Sequence, residues 1–187
     1  MHRMTRKRVA ALVGTFVAVA VVAALPVATV SVAKATPGAQ LPDLLETHNL
    51  TTLDGRTGKL VPAAAPASVV HFWASWCAPC KKELPLLDGL AAELGPRGVK
   101  FAAISIDSDP AKARRFVEQQ EIHLPVFLDG PDGLAESLAL PSIPSTFVVD
   151  RRGRVTFATS GSSEEELARL RAHLIGLVQT KGEVASH

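Results

Sequence analysis

From Ser68 onward the chain alternates short apolar runs with longer mixed ones. Ser68–Trp73 reads as a short strand, and Ala78–Leu94 as a helix that Gly95-Pro96-Arg97-Gly98 ends, with glycine past the last turn and proline beyond it. Pro85 lies inside that helix and is expected to kink it. Val99–Ile106 is apolar nearly throughout, the pattern of a strand covered on both faces. Asp107-Ser108-Asp109-Pro110 places an N-cap candidate before a proline at the first helical position, and the predicted helix reaches Gln120. Val126–Leu128 is a short strand and Gly133–Leu140 a short helix. Ser145–Val149 and Val155–Ser160 flank the hairpin signal Asp150-Arg151-Arg152-Gly153. Ser163-x-x-Glu166 offers a capping box for a last helix reaching Val178. The order β-α-β-α-β-α-β-β-α describes an α/β fold. Its mixed central sheet is parallel at first, closes with an antiparallel hairpin, and carries helices on both faces.

Upstream, Asn49–Leu60 reads as a hairpin extension turning at Asp54-Gly55, joined to the first central strand by the soft stretch Pro62–Ala67. Residues 36–40 form a linker, residues 41–180 one domain, and residues 181–187 a tail. Val9–Val30 is uncharged, rich in Ala and Val, and preceded by Arg3, Arg6, Lys7 and Arg8. Residues 1–35 therefore read either as a secretory signal with a small-x-small site at Ala33-Lys34-Ala35, or as a signal anchor long enough to span a bilayer. A buried core helix is disfavoured, because a segment apolar all round has nothing here to cover it. With the basic end held inside, both readings place the domain on the extracytoplasmic side, at the outer face of the membrane or in the periplasm. Five of the 20 Lys and Arg precede residue 36, where Asp and Glu are absent, so the remainder holds 15 basic and 18 acidic residues, net −3. The basic balance belongs to the leader and is no argument for nucleic-acid binding.

The two cysteines stand three apart in Trp76-Cys77-Ala78-Pro79-Cys80, directly after the apolar strand. Zinc normally requires four ligands, but His48, His71, His123 and His173 sit singly. Haem attachment requires a histidine right after the second cysteine, and Lys81 is there. A structural bridge would close a loop too short to stabilise much, which leaves dithiol–disulfide exchange as the favoured chemistry. Cys77, at the start of a helix, lies where unpaired backbone N–H groups and the helix dipole favour a thiolate, and it is expected to be the exposed nucleophile. Cys80, one turn in and more buried, would resolve the mixed disulfide. Lys81 and Lys82 either add positive charge to this turn or form a solvated face. Pro79 suits a first helical turn and rigidifies the pair. Trp73 is expected in the core and Trp76 on the rim of the site.

The segment Phe72-Trp73-Ala-Ser-Trp76-Cys77-Ala-Pro-Cys80-Lys-Lys-Glu83-Leu-Pro85 resembles the active-site stretch of the thioredoxin superfamily, in its TlpA/ResA/CcmG-like branch of tethered or exported thiol–disulfide oxidoreductases. Ser142-Ile143-Pro144-Ser145-Thr146-Phe147-Val148-Val149-Asp150 resembles that branch's second signature, and Leu41-Pro42-Asp43 its opening segment. The resemblance covers residues 41–178 and implies a thioredoxin-like fold. It implies that Pro144 is a cis-proline packed against the cysteine pair and that the Ile143 backbone pairs with substrate. Pro141 is the competing candidate, set aside because Ser145–Val149 follows Pro144 at once. A proline there has no N–H, which keeps a covering strand from forming over the sulfurs. Glu83 matches an acidic position of the branch; it either exchanges a proton with Cys80 and tunes it, or is a surface carboxylate paired with a lysine. His71 departs from the pattern, and is either a proton acceptor beneath Cys80 or a strand histidine with a satisfied hydrogen bond.

The resemblance further implies a reductase of disulfides in client proteins, such as apocytochrome c during its maturation. Its electrons would come from a membrane thiol carrier of the CcdA/DsbD type. The exchange runs on the two thiols alone, without cofactor or metal. Two alternatives have different requirements. A peroxiredoxin-type peroxide reductase needs Thr or Ser three residues before the reactive cysteine, where this chain has Ala74. A copper-handling metallochaperone of thioredoxin-like fold uses a wider cysteine spacing and a dedicated histidine, for which His123 is the single candidate.

Overall fold

The computed structural model describes residues 41–58, 65–129 and 133–184. The predicted leader and linker, residues 1–40, lie outside the described residues.

The domain opens with α1 (Leu41–Thr47), a helix where the sequence suggested only an opening segment. Next come the hairpin strands β1 (Leu50–Thr52) and β2 (Thr57–Gly58), turning through Gly55 at φ 86° as the Asp54-Gly55 signal predicted. The central strands and helices follow as β3 (Ala67–Trp73), α2 (Ala78–Leu94), β4 (Lys100–Ser105), α3 (Pro110–Gln119), β5 (Val126–Leu128) and α4 (Leu134–Ser137). The chain closes with β6 (Ser145–Asp150), β7 (Val155–Thr159) and α5 (Glu164–Val184), the last running past the Val178 expected from sequence and into the predicted tail.

Among the described residues seven strands form one sheet, in the order β2-β1-β5-β4-β3-β6-β7. β3, β4 and β5 are parallel; β1 on one side and β6 on the other run antiparallel to their neighbours. β4 is thus flanked by parallel partners, which accounts for its apolar run. Successive residues of the strands serve opposite faces. Val69, Trp73, Ala103 and Val148 pack with Leu84 and Leu87 of α2, Phe116 of α3, and Leu170 and Leu174 of α5. Val70, Phe72, Ile104, Phe147 and Val149 pack with Leu41 and Leu45 of α1 and Leu134 of α4. Full burial of each large side chain is worth about 1.5–3 kcal/mol, so the two rows hold the sheet from both sides.

Local chemistry places the helix ends. Ser163 Oγ accepts from the Glu166 N–H at 3.2 Å while Glu166 Oε2 accepts from the Ser163 N–H at 3.1 Å, the reciprocal capping box expected. Asp109 caps α3 directly before Pro110, as expected, its Oδ1 accepting from the Ala111 N–H at 3.0 Å. Gly98, at φ 94°, turns the chain out of the short 3-10 segment Gly95–Arg97 and into β4. Pro85 lies inside α2 without dividing it.

Candidate active site

The central strand β3 delivers the chain to the site. At its end Trp73 is fully buried and Trp76 is 64 % exposed, core and rim as the sequence suggested. Cys77 is the N-cap of α2: its backbone is extended, and its Sγ accepts from the Cys80 N–H at 3.2 Å. The sulfur therefore occupies the place a Ser or Asp oxygen takes at other helix starts, facing the free N–H groups that stabilise an anion. Cys77 and Cys80 are joined as a disulfide. The expectation of an exposed Cys77 needs correction, because Cys77 is only 6 % exposed and Cys80 not at all. The bonded pair is tucked into the apolar row with Ala74 and Leu84. Pro79, Lys81 and Lys82 are exposed on the first turns of α2.

Two further devices hold this loop. Asp107, at the end of β4, accepts from the Ser75 N–H at 2.8 Å, the Ser75 hydroxyl at 2.7 Å and the Ser105 hydroxyl at 2.8 Å. Its carboxylate ties the cysteine loop to the neighbouring strand. The second device is the Ile143–Pro144 peptide, which is cis. Pairing of Ser145 with Phe72 brings buried Pro144 to the end of β3 from which the cysteine loop leaves. Ile143, half-buried, packs against both apolar rows, and the Ser145 hydroxyl donates to the Ser142 carbonyl at 2.8 Å across the turn. Trp76, Ile143 and Ser142 border an open cleft of about 1080 Å³ whose other wall includes Asn49, Asp107 and Asp129.

Beneath the disulfide lies a polar group within the apolar row. α2 buries Cys80, Glu83, Leu84 and Leu87 along one stripe, so Glu83 faces inward one turn beyond Cys80. It is 5 % exposed, which overturns the reading of a surface carboxylate paired with a lysine. The Thr146 hydroxyl donates to its Oε1 over a long 3.4 Å, and Oε2 has no partner. Burial pushes the Glu83 carboxyl up to about 7, with the negative charge of Glu166 adding to the rise and Thr146 opposing it. His71 stands opposite Thr146 in the β3–β6 register, its Nδ1 3.0 Å from Thr146 Oγ1. Its ring is therefore bonded at one nitrogen, while Nε2 has no partner. Burial alone pushes the imidazole down to about 3, so it is neutral at physiological pH. Thr146 and Asp107 are the residues that sequence reasoning missed. Thr146 carries a signal only once strand register sets it against His71.

His123 lies apart on the surface, its Nδ1 3.3 Å from Asp88 Oδ2. Among the described residues no group of three or more His, Cys, Asp or Glu is placed to hold a metal ion.

The Redoxin family profile matches residues 24–174. The thiol-disulfide oxidoreductase ResA of Geobacillus thermodenitrificans is 26 % identical over 129 residues, 69 % of this chain and 72 % of that protein. A putative thiol:disulfide interchange protein DsbE from Chlorobium tepidum superposes with a TM-score of 0.64 at 24 % identity, covering 70 % of this chain and 92 % of that one. A secreted Mycobacterium tuberculosis disulfide oxidoreductase homologous to E. coli DsbE gives 0.58 at 24 %, covering 70 % and 98 %. Together with the Cys77–Cys80 pair, these likenesses support thiol–disulfide exchange with disulfide-bearing substrates. The chain belongs to the Redoxin family and is a thioredoxin-fold disulfide oxidoreductase of the TlpA/ResA/CcmG-like branch.

Proposed function

We propose that the protein works outside the cytoplasm as a reductase of client disulfides. The Cys77 thiolate attacks one client sulfur; the client S–S bond breaks, and the other sulfur leaves as a thiolate. Cys80 then loses its thiol proton to Glu83 and attacks Cys77 Sγ. This releases the second client thiolate and forms the Cys77–Cys80 disulfide, so two electrons pass to the client. The mixed disulfide sits at the cleft bordered by Trp76 and Ile143, where the Ile143 backbone pairs with an extended client segment next to cis-Pro144. Pro79 keeps the helix start rigid between the two sulfurs.

The observation that carries this reading is the placement of both thiols and Glu83 on α2, Cys77 capping it and Cys80 and Glu83 on its buried stripe. A helix N-terminus favours the attacking thiolate, and a buried carboxyl near neutrality is suited to exchange a proton with the resolving thiol. The basic start and apolar run of residues 1–35 support export, either tethered or after cleavage. The Mycobacterium tuberculosis relative, described as secreted, supports the same side of the membrane. In an oxidising space the pair must be re-reduced, for which a membrane thiol carrier of the CcdA/DsbD type is the fitting donor. Clients such as apocytochrome c, which must present reduced cysteines to receive haem, suit a reductant so placed. Among the described residues no helix is long and apolar enough to cross a membrane, and residues 9–30 lie outside them.

The test is the reduction potential of the full-length protein in glutathione buffers. A midpoint near the thioredoxin value of about −270 mV is expected, and one near the DsbA value of about −120 mV overturns the direction. The roles within the pair are checked separately. Cys80→Ser should accumulate client mixed disulfides through Cys77, and accumulation in Cys77→Ser would reverse the roles.

A further inference from the structure

Thiol–disulfide exchange accounts for the cysteines and for Glu83. It does not account for a histidine buried in β3 with one nitrogen bonded and the other bare. His71 reaches Glu83 only through Thr146: Nδ1 is 3.0 Å from Thr146 Oγ1, and that oxygen is 3.4 Å from Glu83 Oε1. A hydroxyl has one proton to give, so Thr146 cannot donate along both contacts. An ionised carboxylate can only accept, so the Thr146 proton points at Glu83. Nδ1 must then carry the N–H that donates to Thr146. That tautomer leaves Nε2 as a lone pair, the atom without a partner.

We propose that His71 is a positioning residue that acts through Thr146: its neutral, Nδ1-protonated imidazole directs the Thr146 hydroxyl at Glu83 and steadies the carboxylate that takes the Cys80 proton. The imidazole does this as a donor and never as a base. Its burial supports that role, since the ring stays neutral throughout the range in which Glu83 titrates. The titratable groups facing Glu83 are His71 from β3, Cys80 on its own helix and Glu166 from α5. Glu166 repels the charged form, and the Thr146 hydroxyl is the contact that favours it. The inference rests on the reading of Glu83 as the proton partner of Cys80.

Imidazole nitrogen NMR of the full-length protein reads the tautomer without substitution. Above the Glu83 midpoint, His71 should show a protonated Nδ1 and a bare Nε2; an Nε2–H tautomer overturns the proposal. The carboxyl carbon of Glu83 then reports its titration in four variants. His71→Leu and Thr146→Val remove the donors and should raise the midpoint by about half to one pH unit, a three- to tenfold change. His71→Asn places an amide N–H where Nδ1 stands and Thr146→Ser keeps the hydroxyl, so both should stay within about 0.2 of the parent. An unchanged midpoint in Leu and Val, or Asn behaving like Leu, overturns the proposal. The underlying reading fails by a different sign. If Glu83→Gln leaves the Cys80 thiol titration unmoved, Glu83 is not its proton partner, and the role of His71 falls with it whatever its tautomer.

Discussion

Asp107 and Glu83 are both about 5 % exposed, both on the cysteine-bearing edge of the fold, and their oxygens are used in different ways. On Asp107 three donors converge at 2.7–2.8 Å, two of them from Ser75 in the cysteine loop. Glu83 receives one long contact on one oxygen and none on the other. A carboxylate surrounded by donors fixes what is bonded to it, here the loop that carries Trp76 and Cys77. A carboxylate short of donors keeps a high affinity for its proton, here one turn from Cys80. The first arrangement sets geometry and the second supplies chemistry, and the two are separable by substitution.

The largest effect is expected from Asp107→Ala. It leaves the Ser75 N–H, the Ser75 hydroxyl and the Ser105 hydroxyl without their acceptor, and each buried orphan costs about 1–3 kcal/mol. Partial access of water to Ser75 brings the expected loss to about 3–5 kcal/mol, read by urea denaturation of the oxidised protein. A loss under about 1 kcal/mol would mean the loop is held by packing alone, and the contrast with Glu83 would disappear.

Glu83→Gln should act in the opposite direction, and only above about pH 4.5. The folded carboxyl titrates near 7 against 4.5 ordinarily, so the folded protein binds a proton that the unfolded chain has lost. Stability therefore falls as pH rises from 4.5 to 7, and above that the full penalty, on the order of 3 kcal/mol, is present. The glutamine variant escapes it, so it should be the more stable at pH 8 and equal to the parent below 4.5. His71 runs the other way. Its folded value near 3 lies below the ordinary 6.5, so its contribution is intact above 6.5 and is lost as pH falls toward 3. Between 4.5 and 6.5 the two slopes cancel in the parent, which should show a level stability there and a decline below. In Glu83→Gln the His71 slope stands alone, and stability should climb from pH 3 to 6.5. A level profile in the variant would show that His71 and Glu83 do not oppose one another.

Much of this contrast follows from sequence, and the part that does not has a definite physical cause. The β3–α2 unit, the β6–β7 hairpin and the Ser163–Glu166 cap are local patterns, set by residues close together in the chain. So is the cis-proline signature at Pro144, read through family resemblance. Asp109 directly before Pro110 is a local cap signal, whereas the role of Asp107 depends on Ser75, which the fold brings to it from the end of the neighbouring strand. The burial of Glu83 is visible in its i+3 spacing from Cys80 only once the inward stripe of α2 is known. The meeting of His71 with Thr146 depends on β3–β6 register, which no local pattern specifies. The helix start that favours a thiolate at Cys77 is a local pattern but does not set its exposure; in the disulfide the sulfur is turned toward Cys80 and the helix start. α1 escaped notice as seven residues containing Pro42, stabilised by Leu41 and Leu45 packing on the sheet rather than by its own propensity.

The smallest effect, and the finest test of the contrast, is Ser75→Ala. It deletes one bond of the satisfied cluster, the hydroxyl to Asp107 Oδ1, and leaves the Ser75 N–H and the Ser105 hydroxyl on Oδ2. Because Ser75 is half-buried, water can replace part of the lost bond, and the expected cost is about 1 kcal/mol. Serine holds no proton that titrates in this range, so the cost should be the same at pH 6 and pH 8. Over that same interval the gain from Glu83→Gln should rise toward its plateau. Equal losses at the two pH values would keep the anchor of the loop and the proton store beneath it as independent devices. A loss that grew with pH would couple the Ser75 anchor to the charge on Glu83, and the two devices would then no longer be separable by substitution.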